Sequence, residues 1–424
     1  MIRIWTILLA AICLAIGGAS PRAQAQVALP SAQLPGAGRV LSTLPNIGVL
    51  EPLTATTGRL TQIRLDRITA LMRDHRDSIE LDDRGEPAVR GVLIATGVDD
   101  AMIGRAAKAG FALIDREHIE GLDLGLARFA VPDRRSLAGG RRQLAKLLPD
   151  AAVDADNLYF ASGPVGALPG VALATAAGSA KASLGLIDGA VAAHPSLAGR
   201  VEQRGFAKGA PSVSRHGTAV ASLLVGSGAI EGAAPGRRLL AADVFGTDPA
   251  GGNASAIARA LGWLAQSGVA VTTISLVGPD NKLLSAAVLR AQQRGMLIVA
   301  AVGNDGPAAP PAYPASYRGV FAVTGVDAKR RVLPEAGRAL HVDFAAPGDN
   351  VLAATGAAST ARLRGTSFAA PLVAGRLALR YPAPSIDRIG PAVAGLVMEA
   401  RDIGKKGRDN IYGHGLICGT CNGR

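Results

Sequence analysis

The chain has 424 residues, 49% of them hydrophobic and only 18% charged, with 53 glycines. That balance excludes a disordered or fibrous protein and leaves room for two or three packed domains. The formal net charge is +12 while aromatics make up 4%, and no basic-aromatic interleaving points to nucleic acid.

Arg3 and the apolar run from Ile4 to Ile16 open the chain, and Ala23, Gln24 and Ala25 supply a small-x-small pattern. Residues 1–25 therefore read as an export signal cut after Ala25, placing the protein in the periplasm or outside the cell. The run is short for a membrane span, and no later stretch is long and apolar enough for one.

Residues 26–57 are rich in Pro, Gly, Ala, Ser and Thr and read as a flexible leader. Residues 58–79 carry Leu60, Ile63, Leu65, Ile68, Leu71 and Met72 at helical spacing opposite a charged face. They predict an amphipathic helix packed on a neighbour.

The next block alternates strand and helix. Strands are expected at 92–96, 111–117, 124–131 and 152–160, with helices at 99–109 and 136–148. That β-α-β-β-α-β order is a split βαβ, ferredoxin-like α+β domain over residues 88–160. A Gly/Pro-rich linker, "A-S-G-P-V-G-A-L-P-G", follows.

After the linker the pattern changes. Fully apolar strands at 184–188, 239–245, 269–276, 297–302 and 320–326 alternate with helices at 216–226, 253–267 and 282–294. Such strands argue for a mostly parallel sheet covered on both faces, a doubly wound α/β domain over residues 161–424. Functional groups gather at the carboxyl ends of strands in these sheets. Roughly +11 of the charge falls after residue 160. It fits an Arg-rich solvated surface and would also favour acidic envelope partners.

Four polar residues stand at strand ends or helix starts. Asp188 ends "L-G-L-I-D", His216 opens "R-H-G-T-A-V-A", Asn304 follows "L-I-V-A-A-V", and Ser367 opens "S-F-A-A-P-L-V-A-G". Singly, each has an ordinary structural reading as a loop cap, a junction histidine, a turn or a helix cap. Together they supply a carboxylate, an imidazole base, an oxyanion donor and a hydroxyl nucleophile, the set that acyl transfer needs. The chain order Asp, His, Ser is one of the known orders of a serine triad. A nucleotide-binding protein would need a phosphate loop after the first strand, and an α/β-hydrolase would need G-x-S-x-G with its serine first. This chain has neither. A non-catalytic envelope binding module would not need all four polar groups in register.

The stretches "L-G-L-I-D-G", "R-H-G-T-A-V-A", "I-S-L-V-G-P", "A-A-V-G-N-D-G", "F-A-A-P-G", "G-T-S-F-A-A-P-L-V-A-G" and "D-N-I-Y-G-H-G-L-I" occur in this order between residues 180 and 417. The chain thus resembles a subtilisin-like serine protease, and its small domain resembles that family's propeptide, a chaperone and inhibitor. The resemblance implies Ser367 as nucleophile, His216 as base and Asp188 as its orienting acid. It also implies an oxyanion hole from the Asn304 side chain and the Ser367 backbone N–H. Ser275, Leu276, Val277 and Gly278 would pair with an extended substrate on one edge. Gly252, Asn253 and Ala254 would form the other edge, and Ala301, Val302 and Gly303 a wall of the primary pocket.

Two positions depart from the family pattern. Val277 stands where a glycine is usual, which should narrow the pocket and favour small residues such as Ala before the cut bond. Leu372 replaces a histidine outside the triad. No cofactor is required by this chemistry. Calcium often stabilises the family, but no dense Asp/Asn loop matches a calcium pattern.

The implied partners are polypeptide substrates and the chain's own propeptide, with a monomeric enzyme expected. Maturation would proceed by self-cleavage near the linker, after Phe160 or Ala161. Of the three cysteines, Cys13 falls in the signal. Cys418 and Cys421, in "C-G-T-C", are expected to form a local disulfide in an oxidising compartment, or else to remain idle thiols.

Overall fold

The computed structural model describes residues 50–161, 168–177 and 184–419, with side chains described from Gly58 onward. The expected signal, most of the leader, the start of the linker and Cys421 lie outside the described residues.

Helix α1 (Leu50–Asp74) begins inside the segment expected to be a flexible leader and stops short of residue 79. Residues 79–81 instead form strand β1 (Ile79–Leu81), a hairpin partner of β2 (Pro87–Thr96) in the register Ile79↔Val89. Only part of the expected apolar face is covered. Ile68 is buried, and Leu71 and Met72 pack on Ile79 and Leu158. Ile63 and Leu65 are 53% and 47% exposed. The covered stripe therefore follows residues 60, 64 and 68, one side chain every fourth position.

The small domain has the expected order. After β2 come α2 (Asp100–Lys108), β3 (Ala112–Ile119), β4 (Leu124–Ala130), α3 (Leu137–Leu147) and β5 (Ala152–Asn157). Asp99 caps α2 by accepting the Met102 N–H at 2.7 Å, and Ser136 caps α3. Such caps satisfy donors that a helix start otherwise leaves open. All strand pairs are antiparallel; β4 and β5 both pair with β2, and β3 lies outside β4. Leu93, Phe111, Phe129, Leu144 and Val153 fill the space beneath the two helices.

The larger domain is built on seven parallel strands. In chain order they are β7 (Leu184–Asp188), β8 (Val201–Gly205), β9 (Leu239–Asp243), β10 (Val271–Ile274), β12 (Leu297–Ala301), β13 (Val320–Val326) and β14 (Phe344–Pro347). Across the sheet they run β14-β13-β12-β10-β7-β9-β8. Between β10 and β12, outside this sheet, lies the short strand β11 (Leu276–Val277). Helix α4 (Arg215–Val225) and the later α7 (Ala370–Arg380) and α8 (Ile386–Glu399) cover one face. Helices α5 (Ala254–Gln266) and α6 (Lys282–Gln293) cover the other. A hairpin of β15 (Val351–Ala354) and β16 (Thr360–Leu363) completes the domain. The doubly wound expectation holds. The sequence pattern missed β8, because "V-E-Q-R-G" is an edge strand with alternating rather than continuous burial.

The small domain docks on α5 and α6. Asp156 accepts the Ser255 N–H at 3.0 Å, in the first turn of α5. Asp154 accepts the Lys282 N–H at 3.1 Å, at the start of α6. Carboxylates suit helix N-termini because the open N–H groups and the dipole both favour negative charge. Burial still pushes both carboxyls above the usual range, opposed by these N–H donors and, for Asp154, by Arg84. A second contact is steric. A Cβ on Gly121 would overlap the Gly262 carbonyl of α5, and one on Gly262 would strike Ile119. Gly121→Ala in a Ser367→Ala background should therefore cost about 1–3 kcal/mol of docking. A lower melting temperature and faster limited proteolysis of the small domain check this, whereas an Ala at exposed Gly125 should change neither.

Candidate active site

Asp188 is the last residue of β7, next to the centre of the sheet, and is fully buried. A carboxylate there needs partners. It accepts the Gly189 N–H at 2.8 Å, and His216 Nδ1 lies 3.0 and 2.8 Å from its two oxygens. Contact at Nδ1 turns Nε2 outward from the acid. His216 reaches this place because Ser214 caps α4, accepting the Gly217 N–H at 2.8 Å.

Asp243 ends β9 in register with Asp188. It accepts N–H bonds from Ser212, Phe245 and Gly246 at 2.6, 2.9 and 3.0 Å. Burial raises its pKa, and the adjacent Asp188 charge acts in the same direction. The Phe245 and Gly246 bonds shape the turn that leads to the edge at Gly252, and the Ser212 bond ties it to the segment before α4.

Ser367 does not open the α-helix, as the sequence pattern had implied. It lies in a single 3-10 turn, Thr366–Phe368, and α7 begins at Ala370. The Ser367 Oγ and the His216 Nε2 are both buried and have no hydrogen-bond partner among the described residues. The Phe368 ring stands 5.6 Å from the imidazole, centroid to centroid. Ser275, between β10 and β11, donates its hydroxyl to the Ser367 carbonyl at 3.1 Å.

Asn304 follows β12. Its Oδ1 accepts the Thr366 N–H at 3.0 Å, which fixes the amide with its Nδ2 end on the other side. Thr366 also exchanges bonds with Gly303. Its Oγ1 accepts the Gly303 N–H and donates to the Gly303 carbonyl, both at 3.1 Å. Sequence reasoning missed Thr366; the only signal was its place next to Ser367.

Residues 158–161 run between the two expected edges. β11 pairs antiparallel with β6 (Phe160–Ala161) in the register Leu276↔Ala161 and Val277↔Phe160. On the other side Tyr159 N donates to the Gly252 carbonyl at 2.8 Å, and Leu158 bridges Asn253. Tyr159 is fully buried over Gly278, and its hydroxyl donates to Pro279 O at 2.7 Å.

Other expected binding residues differ in place. Asn253 and Ala254 start α5, where Asn253 is the cap and Ala254 is buried. Val277, Gly278, Val302 and Gly303 line a cavity of 330 Å³. Ala301 sits in the core and does not line it. Val277 closes on the cavity wall, its Cγ1 only 3.2 Å from where a Cβ on Gly303 would stand. Cys418 is disulfide-bonded, and Cys421 lies outside the described residues. Among the described residues no three His, Cys, Asp or Glu side chains are grouped to hold a metal ion.

Thr366→Val removes the hydroxyl that accepts the Gly303 N–H, while the Gly303 carbonyl keeps the Gly337 N–H at 2.7 Å. An unsatisfied buried N–H costs about 1–3 kcal/mol. The variant should melt lower and turn over more slowly with KM little changed, as thermal unfolding and steady-state kinetics would show; Thr366→Ser should restore both.

Residues 179–415 match the model of the subtilase family. Over 240 residues the chain is 35% identical to subtilisin BL of Lederbergia lenta, covering 55% of this chain and 87% of that protein. It is 34% identical over 240 residues to an alkaline protease of Alkalihalobacillus alcalophilus, covering 55% of this chain and 61% of that one. Fervidolysin from Fervidobacterium pennivorans, a keratinolytic enzyme related to subtilisin, shares the fold at 20% identity and a TM-score of 0.61. That likeness covers 80% of this chain and 61% of fervidolysin. The chain belongs to the subtilase family and is a serine endopeptidase.

Proposed function

We propose that the chain is an exported, self-processing zymogen that cuts peptide bonds through Ser367, His216 and Asp188. The observation that carries this reading is the strand 158–161, held between Gly252 and β11 as an extended peptide would be. The Asp188–His216 contact supports the catalytic assignment. Export rests on the signal pattern of residues 1–25. Among the described residues no helix is long and apolar enough to cross a membrane.

In this mechanism Ser367 Oγ attacks the scissile carbonyl as its proton passes to His216 Nε2. Asp188 holds the imidazole in the right tautomer and stabilises its charged form. The tetrahedral oxyanion is met by Asn304 Nδ2 and the Ser367 N–H, each such side-chain donor contributing ~3 kcal/mol. His216 then returns the proton to the leaving amine as the C–N bond breaks. Water, deprotonated by the same imidazole, releases the acyl group and restores Ser367. No cofactor enters this cycle.

The domain at 79–161 acts as the inhibitor. Register refines the expected cut. Phe160 faces Val277 and Ala161 faces Leu276; Ser275, the next residue, is the one bonded to Ser367. This register supports a cut after Ala161 or the next residue over one after Phe160. A fluorophosphonate probe should label the wild type, while Ser367→Ala should neither label nor process. N-terminal sequencing of the mature enzyme should begin at Ser162 or Gly163. A start at Ala161 contradicts the register, and processing of purified Ser367→Ala refutes self-cleavage.

The same reading gives Val277 the role of a size filter. Wild-type enzyme should prefer Ala before the cut bond, and Val277→Gly should raise kcat/KM for Phe at that position by roughly tenfold or more. Peptide-library profiling decides: strong wild-type preference for Phe or Tyr would refute the filter.

A further inference from the structure

Helix α1 lies outside the ferredoxin-like domain, yet it contacts the catalytic domain beside the proposed oxyanion donor. Arg67 Nη2 donates to both oxygens of Asp305, at 3.1 and 3.0 Å. Arg64 Nε stands 3.6 Å from the same carboxylate, and its Nη2 bonds both oxygens of Glu86 at 2.7 and 2.9 Å. Asp305 directly follows Asn304. One residue further on, Leu60 packs so closely on Gly306 that a Cβ there would lie 2.9 Å from its Cδ1.

The same helix also holds the strand in the cleft. The Arg67 guanidinium lies 5.4 Å from the Phe160 ring centroid. Leu71 and Met72 pack with Leu158 and Phe160. Ile68, Arg64 and Arg67 share the 330 Å³ cavity with Val277 and Gly303. One helix thus touches the 304–306 loop, the strand 158–161 and the hairpin at Glu86. The Asp305 side chain is only 20% exposed. A networked, half-covered pair of this kind holds better than an isolated surface pair.

We propose that Asp305 and Gly306, beside the peptide groove, form a docking site for a basic helix, and that residues 58–74 occupy it in cis as a latch. The latch keeps strand 158–161 seated after the linker is cut, so release of active enzyme is a second, salt-sensitive step. The proposal rests on the zymogen reading above. Its geometry explains why Arg64 stands four residues after Leu60 on the covered side, with Arg67 at the edge of that side, on a helix whose Ile63 and Leu65 face solvent.

The test compares full-length wild type with Arg64→Ala/Arg67→Ala at low and high salt. Processing of the linker should keep its rate. The lag between processing and fluorophosphonate labelling should shorten by roughly three- to tenfold, and high salt should shorten it in wild type only. Leu60→Ala, which keeps every charge, should also shorten the lag. Equal lags with equal salt response overturn the latch.

A second arm needs no activity. In full-length Ser367→Ala, the arginine replacements should speed hydrogen exchange in residues 58–74 and 158–161, and unchanged exchange overturns the proposal. If the wild type never labels, the protease reading fails, and the exchange arm still decides the docking site.

Discussion

The buried pair of Asp188 and His216 is the constraint around which the larger domain is arranged. An ionised carboxylate at the end of a covered central strand is tolerated only with close donors. The Gly189 N–H and the imidazole supply them. The imidazole in turn can reach the carboxylate because Ser214 caps α4 against the turn after β7. Ser275 and Asn304 follow β10 and β12, the next strands on one side of β7. A parallel sheet thus delivers an acid, a hydroxyl and an amide to one rim. Helix α4 and the turn before α7 bring the imidazole and Ser367 to the same rim.

The small domain uses the other side of this arrangement. Its β5 carboxylates sit on the N-termini of α5 and α6, the helices that cover the face away from α4 and α7. That docking fixes where β5 ends, and the chain beyond it must then cross the rim between Gly252 and β11. Backbone pairing with an exposed edge is indifferent to side-chain identity. The side chains add the selectivity: Tyr159 fills a buried place over Gly278, while Phe160 faces Arg67.

Much of this was legible in the sequence because the central strands are continuous apolar runs that end on polar residues. "L-G-L-I-D" gave both a buried strand and the acid at its end. The small domain was legible from its rhythm of alternating strands and capped helices. Edge elements were not. β8 carries Glu202, Gln203 and Arg204, so its pattern resembles a loop. The start of α1 was hidden because Pro52, Thr54, Thr56, Thr57 and Gly58 interrupt the helix formers of "L-E-P-L-T-A-T-T-G". Ile63 and Leu65 fit the apolar periodicity but not the covered side, since periodicity cannot tell which side meets a neighbour. The role of Thr366 arises from a contact across residues far apart in sequence, which no local pattern encodes.

The proposed self-processing zymogen would face a physical difficulty that the contacts of residues 58–161 address. Before the cut, the strand is tethered at both ends and its local concentration at the cleft is high. After the cut one tether is gone, and the strand would leave at the rate of its own contacts. In this structure those contacts are not confined to the groove. Asp154, Asp156 and Gly121 tie the small domain to α5 and α6, and Leu60, Arg64 and Arg67 tie the leader helix to loop 304–306 and its neighbours. A polypeptide substrate can offer the groove the same backbone edge as residues 158–161, but it cannot offer these outlying anchors. On the proposed reading, the difference between inhibitor and substrate therefore lies in anchors outside the peptide groove, on α5, α6, Asp305 and Gly306.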